Sequence, residues 1–376
     1  MKPHRSAIQN WFSKAFNLPV LEKSRLPWVD YLRGIAILLV VYRHALIGIE
    51  RSGISVPVML ANANMIFYSF RMPLFFIVSG LFIGGSLLKK NVKQLVSIKF
   101  ENLLYPYFVW TIIQITLQIL LSKYVNSERG WRDYTYILYQ PRSLDQFWYL
   151  PALFNATVIY LLVKTKLKPP AWMQLTLGLA FYFVSPFLSN ISMLSDWMEF
   201  YLFFALGDII SSFFFKNSSQ NFLKNAWTLL LIIPFFVLTQ IFYLNNDEYY
   251  YRNNFLGQAE FLVIALIGCL AMFLLAFRLQ TWKILSFLRV LGYHSLYIYV
   301  MHVLVIAFIR LLLTKVFGIL NPGIILICGI AFGVTIPVMV YNLFIKDNFA
   351  WFLFSYHKKR SRTRPPEEKI QGVAAS

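Results

Sequence analysis

Charge is scarce in this chain, and acid is scarcer than base. Only 14% of the 376 residues are charged, with 16 Asp and Glu against 35 Lys and Arg. Soluble domains carry about 25% charged residues. An ordinary soluble enzyme is therefore excluded, and so is a disordered chain, which pairs low hydrophobicity with high charge. Cysteine is nearly absent: Cys269 and Cys328 each lie inside an apolar run. That pattern excludes a secreted disulfide scaffold and gives no sign of a thiolate metal site. The five histidines are His4, His44, His294, His302 and His357. They show no ligand spacing with a carboxylate, so no metal is expected. A cleavable signal is also missing, because the first long apolar run is long enough to span and lacks a small-residue cleavage pattern after it.

Apolar residues fill the space that charge leaves. They make up 58% of the chain, and 18% is aromatic, including 36 Phe. A membrane-spanning helix needs about 20 mostly apolar residues. Ten runs qualify: 29–48, 64–88, 103–121, 147–163, 171–188, 197–215, 226–244, 257–277, 292–313 and 323–345. The expected fold is all-α, a polytopic bundle of about ten transmembrane helices. No internal repeat is visible, and the loops are too short for a soluble domain.

The basic residues fix an expected orientation. With the N-terminus inside, the inner segments hold 24 Lys and Arg and the outer loops hold 6. This bias follows the positive-inside rule and places both termini in the cytoplasm. It also accounts for the net charge of +19 without a nucleic-acid partner. Residues 1–26 read as a cytoplasmic amphipathic segment, 27–346 as the membrane domain and 347–376 as a basic cytoplasmic tail. In the first segment Ile8, Trp11, Phe12, Ala15 and Phe16 follow helical spacing, as in a helix lying on a membrane surface. The tail, with Lys358, Lys359, Arg360, Arg362 and Arg364, reads as a solvated or headgroup-binding extension.

Ionisable residues inside a span cost about 2.5–3.5 kcal/mol each on the insertion scale, so each needs a reason. The first run carries Asp30, Arg33, Arg43 and His44. Arg33 and His44 share one helix face and differ in height by roughly 16 Å. Asp30, one turn below Arg33, is placed to pair with it. One face thus carries a cation at the inner mouth and a titratable imidazole past the bilayer centre. The bland alternative has Arg33 snorkelling to headgroups and His44 bonding a neighbouring helix. In the second run Arg71 precedes Pro73, a residue that frees a backbone carbonyl. Ser295, Tyr299 and His302 form a polar stripe on the ninth run, and Glu199 and Glu260 open the sixth and eighth. Trp148 and its aromatic neighbours open the fourth, where an interfacial belt is the default reading. Lys89, Lys90, Lys93 and Lys99 crowd the loop after the second run.

Four stretches together resemble acyltransferase family 3, the integral membrane acyltransferases that O-acetylate bacterial sugars and glycans. Trp28-Val29-Asp30-Tyr31-Leu32-Arg33-Gly34 through His44 resembles the family's first helix, whose signature is an Arg and a His with ten residues between them. Phe70-Arg71-Met72-Pro73-Leu74-Phe75-Phe76 resembles its second-helix motif, and Phe147-Trp148-Tyr149-Leu150 its Trp-aromatic-Leu element. Leu291-Gly292-Tyr293-His294-Ser295 through Tyr299 and His302 resembles its late helix. The short, single-module members similar to fucose 4-O-acetylases are the best likeness. One feature departs from the pattern. Lys99 fills one place of the family's basic pair, but Asn102 or Leu103 stands where a second Arg is expected before Pro106. Another cation, Lys93 or Lys90, would then have to serve.

The resemblance implies an acyl-CoA-dependent O-acyltransferase of a bacterial inner membrane, with acetyl-CoA as donor and a carbohydrate or envelope glycan as acceptor. It implies His44 as general base or acyl relay, with Arg33 and Asp30 in the same catalytic group. Arg33, Lys99 and Lys93 are the expected acyl-CoA contacts. Arg71, Ser295, Tyr299, His302, Glu260 and Trp148 are the expected acceptor contacts. The rival reading is a transporter or exporter of a small polar solute or sugar, with the intramembrane His and Arg residues as relay sites.

Overall fold

The computed structural model describes residues 7–23, 26–123, 129–246, 250–252, 254–346 and 348–357. The cationic tail from Lys358 onward lies outside them. Among the described residues the chain is helical throughout, with no strand. Ten helices are long and apolar enough to cross a membrane: Pro27–Arg51, Val58–Leu87, Val92–Leu120, Pro141–Leu167, Ala171–Leu188, Ser192–Phe215, Ala226–Leu244, Phe255–Trp282, Ser295–Val316 and Pro322–Ile345. These are the ten expected spans, numbered here in chain order.

Local chemistry sets where several of them begin. Pro27 and Pro322 stand in the first turn of their helices, where a missing N–H costs nothing. The side chains of Asn225, Asn254 and Asn321 cap the seventh, eighth and tenth spans. Asn91 and Gln94 form a reciprocal capping box at the start of the third. That span is longer than its apolar run, because a widened turn at Phe100–Leu104 joins Val92–Lys99 to Tyr105–Leu120. The ninth span is shorter at its start. A short helix, Phe287–Tyr293, ends before His294, and the span proper opens at Ser295.

The first and second spans form the centre of the bundle. The first packs against the second, eighth, ninth and tenth and against Phe287–Tyr293; the second packs also against the sixth. Two close crossings position them. A Cβ on Gly34 would sit 2.0 Å from the Leu288 carbonyl oxygen, and one on Gly292 would sit 1.9 Å from that of Asp30. Only glycine permits this approach. The pair Gly80 and Gly207 does the same for the second and sixth spans, at 2.1 Å from Phe204 O and 2.2 Å from Ile77 O.

At the face where the first span begins, the N-terminal helix Ala7–Ala15 docks on the tenth span. Asn342 Nδ2 donates to Ala15 O at 3.0 Å and to His294 Nε2 at 3.0 Å. Ala15 is buried, whereas Ile8, Trp11 and Phe12 are exposed. On the same face the segment after the tenth span folds back onto the third. Tyr105 donates to Phe352 O at 2.7 Å and Trp110 Nε1 to Leu353 O at 3.1 Å.

Candidate active site

The Arg33 end of the first span carries one polar cluster. Arg33 is half-buried and lies 6.0 Å from the Phe82 ring centroid. Asp30, Tyr149 and Lys99 all lie within electrostatic range of it. The Tyr149 hydroxyl bonds Ser79, whose own hydroxyl donates to Phe75 O at 2.8 Å. Lys93 is exposed in the first turns of the third span. Asn102, at the place of a second basic residue, brings no cation. Ser295 is half-buried at the base of the ninth span, on this same side of the bundle.

His44 sits at the other level, on the wall of a cavity of about 590 Å³ that opens toward the opposite face. Arg71, Trp148 and Tyr299 line the same cavity. Arg71 is buried, and Nη1 donates to Leu39 O at 3.4 Å. His302 lies directly behind His44, with ring centroids 5.0 Å apart. Its Nδ1 faces the carbonyls of Ile298 and Tyr299 at 3.0 and 2.8 Å. A carbonyl only accepts, so Nδ1 carries the proton and Nε2 is a lone pair. That buried Nε2 has no partner among the described residues. Glu260 is not among the cavity's lining residues, although its neighbour Phe261 is.

Several lining residues were not singled out by the sequence reading. Arg142 bonds Asp196 through Nε, reaches Glu199 Oε2 through Nη2 at 3.0 Å, and lies 4.4 Å from the Trp148 ring centroid. Asp145 gathers Arg51 at 2.9 Å and Arg129, Gln114 and Gln118 at 3.4 Å each. Its φ of +57° is a region that costs an L residue about 1–3 kcal/mol, which these four donors offset. Tyr251 bonds Tyr68 at 3.2 Å. Burial, with Tyr68 and Glu199 beside it, holds the Tyr251 phenol well above its usual value and therefore protonated. Arg142 and Asp145 had one sequence signal, two opposite charges at the mouth of the fourth apolar run. The signal is faint because charges at span ends are common.

A second, polar compartment of about 390 Å³ adjoins this cavity and shares Arg142, Ser143, Tyr182, Glu199, Tyr251 and Arg252 with it. In the main cavity Ser69 Oγ and Gln146 Oε1 are buried without partners among the described residues. Each such atom costs about 1–3 kcal/mol in the folded protein. Between this cavity and the Arg33 cluster stand Tyr149 and Tyr299, whose ring centroids are 5.3 Å apart.

The arrangement is that of an imidazole at a cavity wall, with a basic cluster on the same helix at the opposite end. An acyltransferase domain model of family 3 matches residues 26–342. The chain belongs to acyltransferase family 3. It is an integral membrane acyltransferase. The match takes in both ends of the Arg33–His44 helix and the whole of the cavity. Neither a curated protein nor a solved structure matched the chain.

Proposed function

We propose that this acyltransferase moves an acyl group, acetyl by default, from a CoA thioester to a hydroxyl of a carbohydrate in the cell envelope. The observation that carries the reading is the wall position of His44 in a cavity equipped for sugars. The aromatic side chains of Tyr68, Trp148 and Tyr251 line it together with the hydrogen-bonding groups of Arg142, Glu199 and Gln146. Sugars offer apolar ring faces and many hydroxyls, and this wall offers a partner for each.

In this reading the basic face is cytoplasmic, as the Lys and Arg bias indicates. The CoA phosphates meet Arg33 and Lys99, with Asp30 holding Arg33 in place. The thioester passes the Tyr149–Tyr299 partition toward His44. His44 takes the proton of the acceptor hydroxyl as its oxygen attacks the thioester carbonyl. The C–S bond breaks, the ester forms, and the proton leaves with the CoA thiolate. Arg71, within the same wall, is placed to stabilise charge on the carbonyl oxygen. A relay through an acyl-His44 intermediate uses the same residues in two steps.

The test is product formation. Purified protein is incubated with labelled acetyl-CoA and a panel of glycosides, and alkali-labile acetyl ester is measured. Label on a glycoside is the expected result. Transfer to none of them, by a folded preparation that takes up the glycosides as cargo in vesicles, contradicts it.

A further inference from the structure

A third cavity, of about 250 Å³, meets the polar one at His44, Ile47, Arg51 and Asp145. It runs between the third and ninth spans and is lined mainly by apolar side chains, with Gln114 and Gln118 among them. Leu117, Leu121 and Phe308 line it and are also exposed on the bundle's flank, where the bilayer lies. The groove is therefore a side opening from lipid to the candidate base. Besides the shared Arg51 and Asp145, one further charged residue stands in it. Arg310 is only 6% exposed, its Nη1 donates to Gly48 O at 2.6 Å, and its buried Nε has no partner among the described residues.

The geometry points to an acceptor that arrives through the membrane: a glycan carried on a long-chain polyprenyl phosphate. Its hydrocarbon tail lies in the groove, its phosphate meets Arg310 at the groove's charged edge, and its sugar reaches the polar cavity. This deepens the proposed function and rests on it. The occupant that competes for the same groove is the acyl chain of a long-chain donor. Such a chain has no anionic group where Arg310 stands, and its CoA phosphates belong to the opposite face. An apolar groove with a buried guanidinium N–H fits a lipid phosphate and gives an acyl tail no use for that donor.

The test measures binding of a polyprenyl phosphate to the full-length protein in detergent, beside the uncharged polyprenol, phosphatidylglycerol and palmitoyl-CoA. The polyprenyl phosphate is expected to bind saturably, and loss of its charge to weaken binding roughly tenfold or more. Arg310→Gln, which removes the cation, and Leu117→Trp, which fills the groove, are each expected to weaken it by about tenfold. Equal binding of polyprenol or phosphatidylglycerol by wild type overturns the inference, whatever the variants do. Palmitoyl-CoA occupying a groove that the polyprenyl phosphate does not enter also overturns it. A preparation that binds acetyl-CoA but no polyprenyl phosphate overturns this inference alone. One that binds polyprenyl phosphate but no acyl-CoA leaves the lipid site standing and overturns the acyl-transfer reading.

Discussion

The imidazole rings of His44 and His302 lie 5.0 Å apart between centroids, inclined at 65°. They come from the first and ninth spans, 258 positions apart in the chain. His302 spends its one ring proton on backbone carbonyls and turns an unpartnered lone pair inward. By edge-on packing, with no hydrogen bond between the rings, His302 restricts how the ring of His44, the base proposed above, can turn.

His302→Ala removes the ring that packs against His44. The turnover number is expected to fall by about ten- to a hundredfold, the scale of a misplaced catalytic group. Acyl-CoA affinity should stay as in wild type. A variant that loses donor affinity and turnover in equal measure would assign His302 a general packing role instead.

Arg142 ties the start of the fourth span to the sixth through Asp196 and Glu199. Arg142→Gln leaves two buried or half-buried carboxylates without their cation. The expected outcome is a lower melting temperature together with a KM for acceptor raised about tenfold or more. Isothermal titration with acetyl-CoA should show donor binding unaltered, since the proposed donor contacts Arg33 and Lys99 lie at the other end of the first span. An unchanged acceptor KM would remove Arg142 from the acceptor side.

Gly292 lets the helix before the ninth span press against the first span beside Asp30. Gly292→Ala puts a methyl group where the Asp30 carbonyl oxygen now is. Overpacking of this kind costs about 1–3 kcal/mol and displaces the turn that carries Arg33. Thermal unfolding and acyl-CoA binding are both expected to weaken in this variant. A variant as stable as wild type with full donor affinity would show that the crossing does not position Arg33.

Asp145 holds a left-handed backbone conformation while bonding Arg51 and Arg129. Asn keeps the side chain's shape, but not its charge. Asp145→Asn is expected to cost roughly 1–3 kcal/mol of stability, and Asp145→Ala more, because Ala also loses every side-chain hydrogen bond while leaving the positive φ uncompensated. Comparing the two melting temperatures checks this. Equal values would mean that the ion pairs and the backbone strain contribute nothing separable.

The ten spans were legible because twenty apolar residues in a row have few alternatives, and apart from the third span's start every start and end lies within six positions of its expected place. The early start of the third span was not legible. Val92–Lys99 is polar enough to read as loop, and it joins the span through a widened turn that leaves little trace in periodicity. His44, Arg71, Trp148 and Tyr299 were legible because polar or bulky residues in recognisable motifs stand out against an apolar background. Arg142 and Asp145 were not, since their roles arise from pairing with Asp196, Glu199 and Arg51, residues set by the tertiary fold. Glu260 illustrates the same gap. Its place at the start of a span resembles that of Glu199, yet only Glu199 faces the cavity.

The most direct test of the account compares wild type, His44→Ala and Arg33→Ala for acetyl-CoA binding and slow thioester turnover in one detergent. Wild type is expected to bind and turn over. His44→Ala is expected to bind as wild type does while losing about 10²–10⁴-fold in turnover, the usual contribution of a general base. Arg33→Ala is expected to bind poorly. Turnover retained in His44→Ala would contradict the assignment of the base, and a folded wild type that binds no acyl-CoA would contradict the donor.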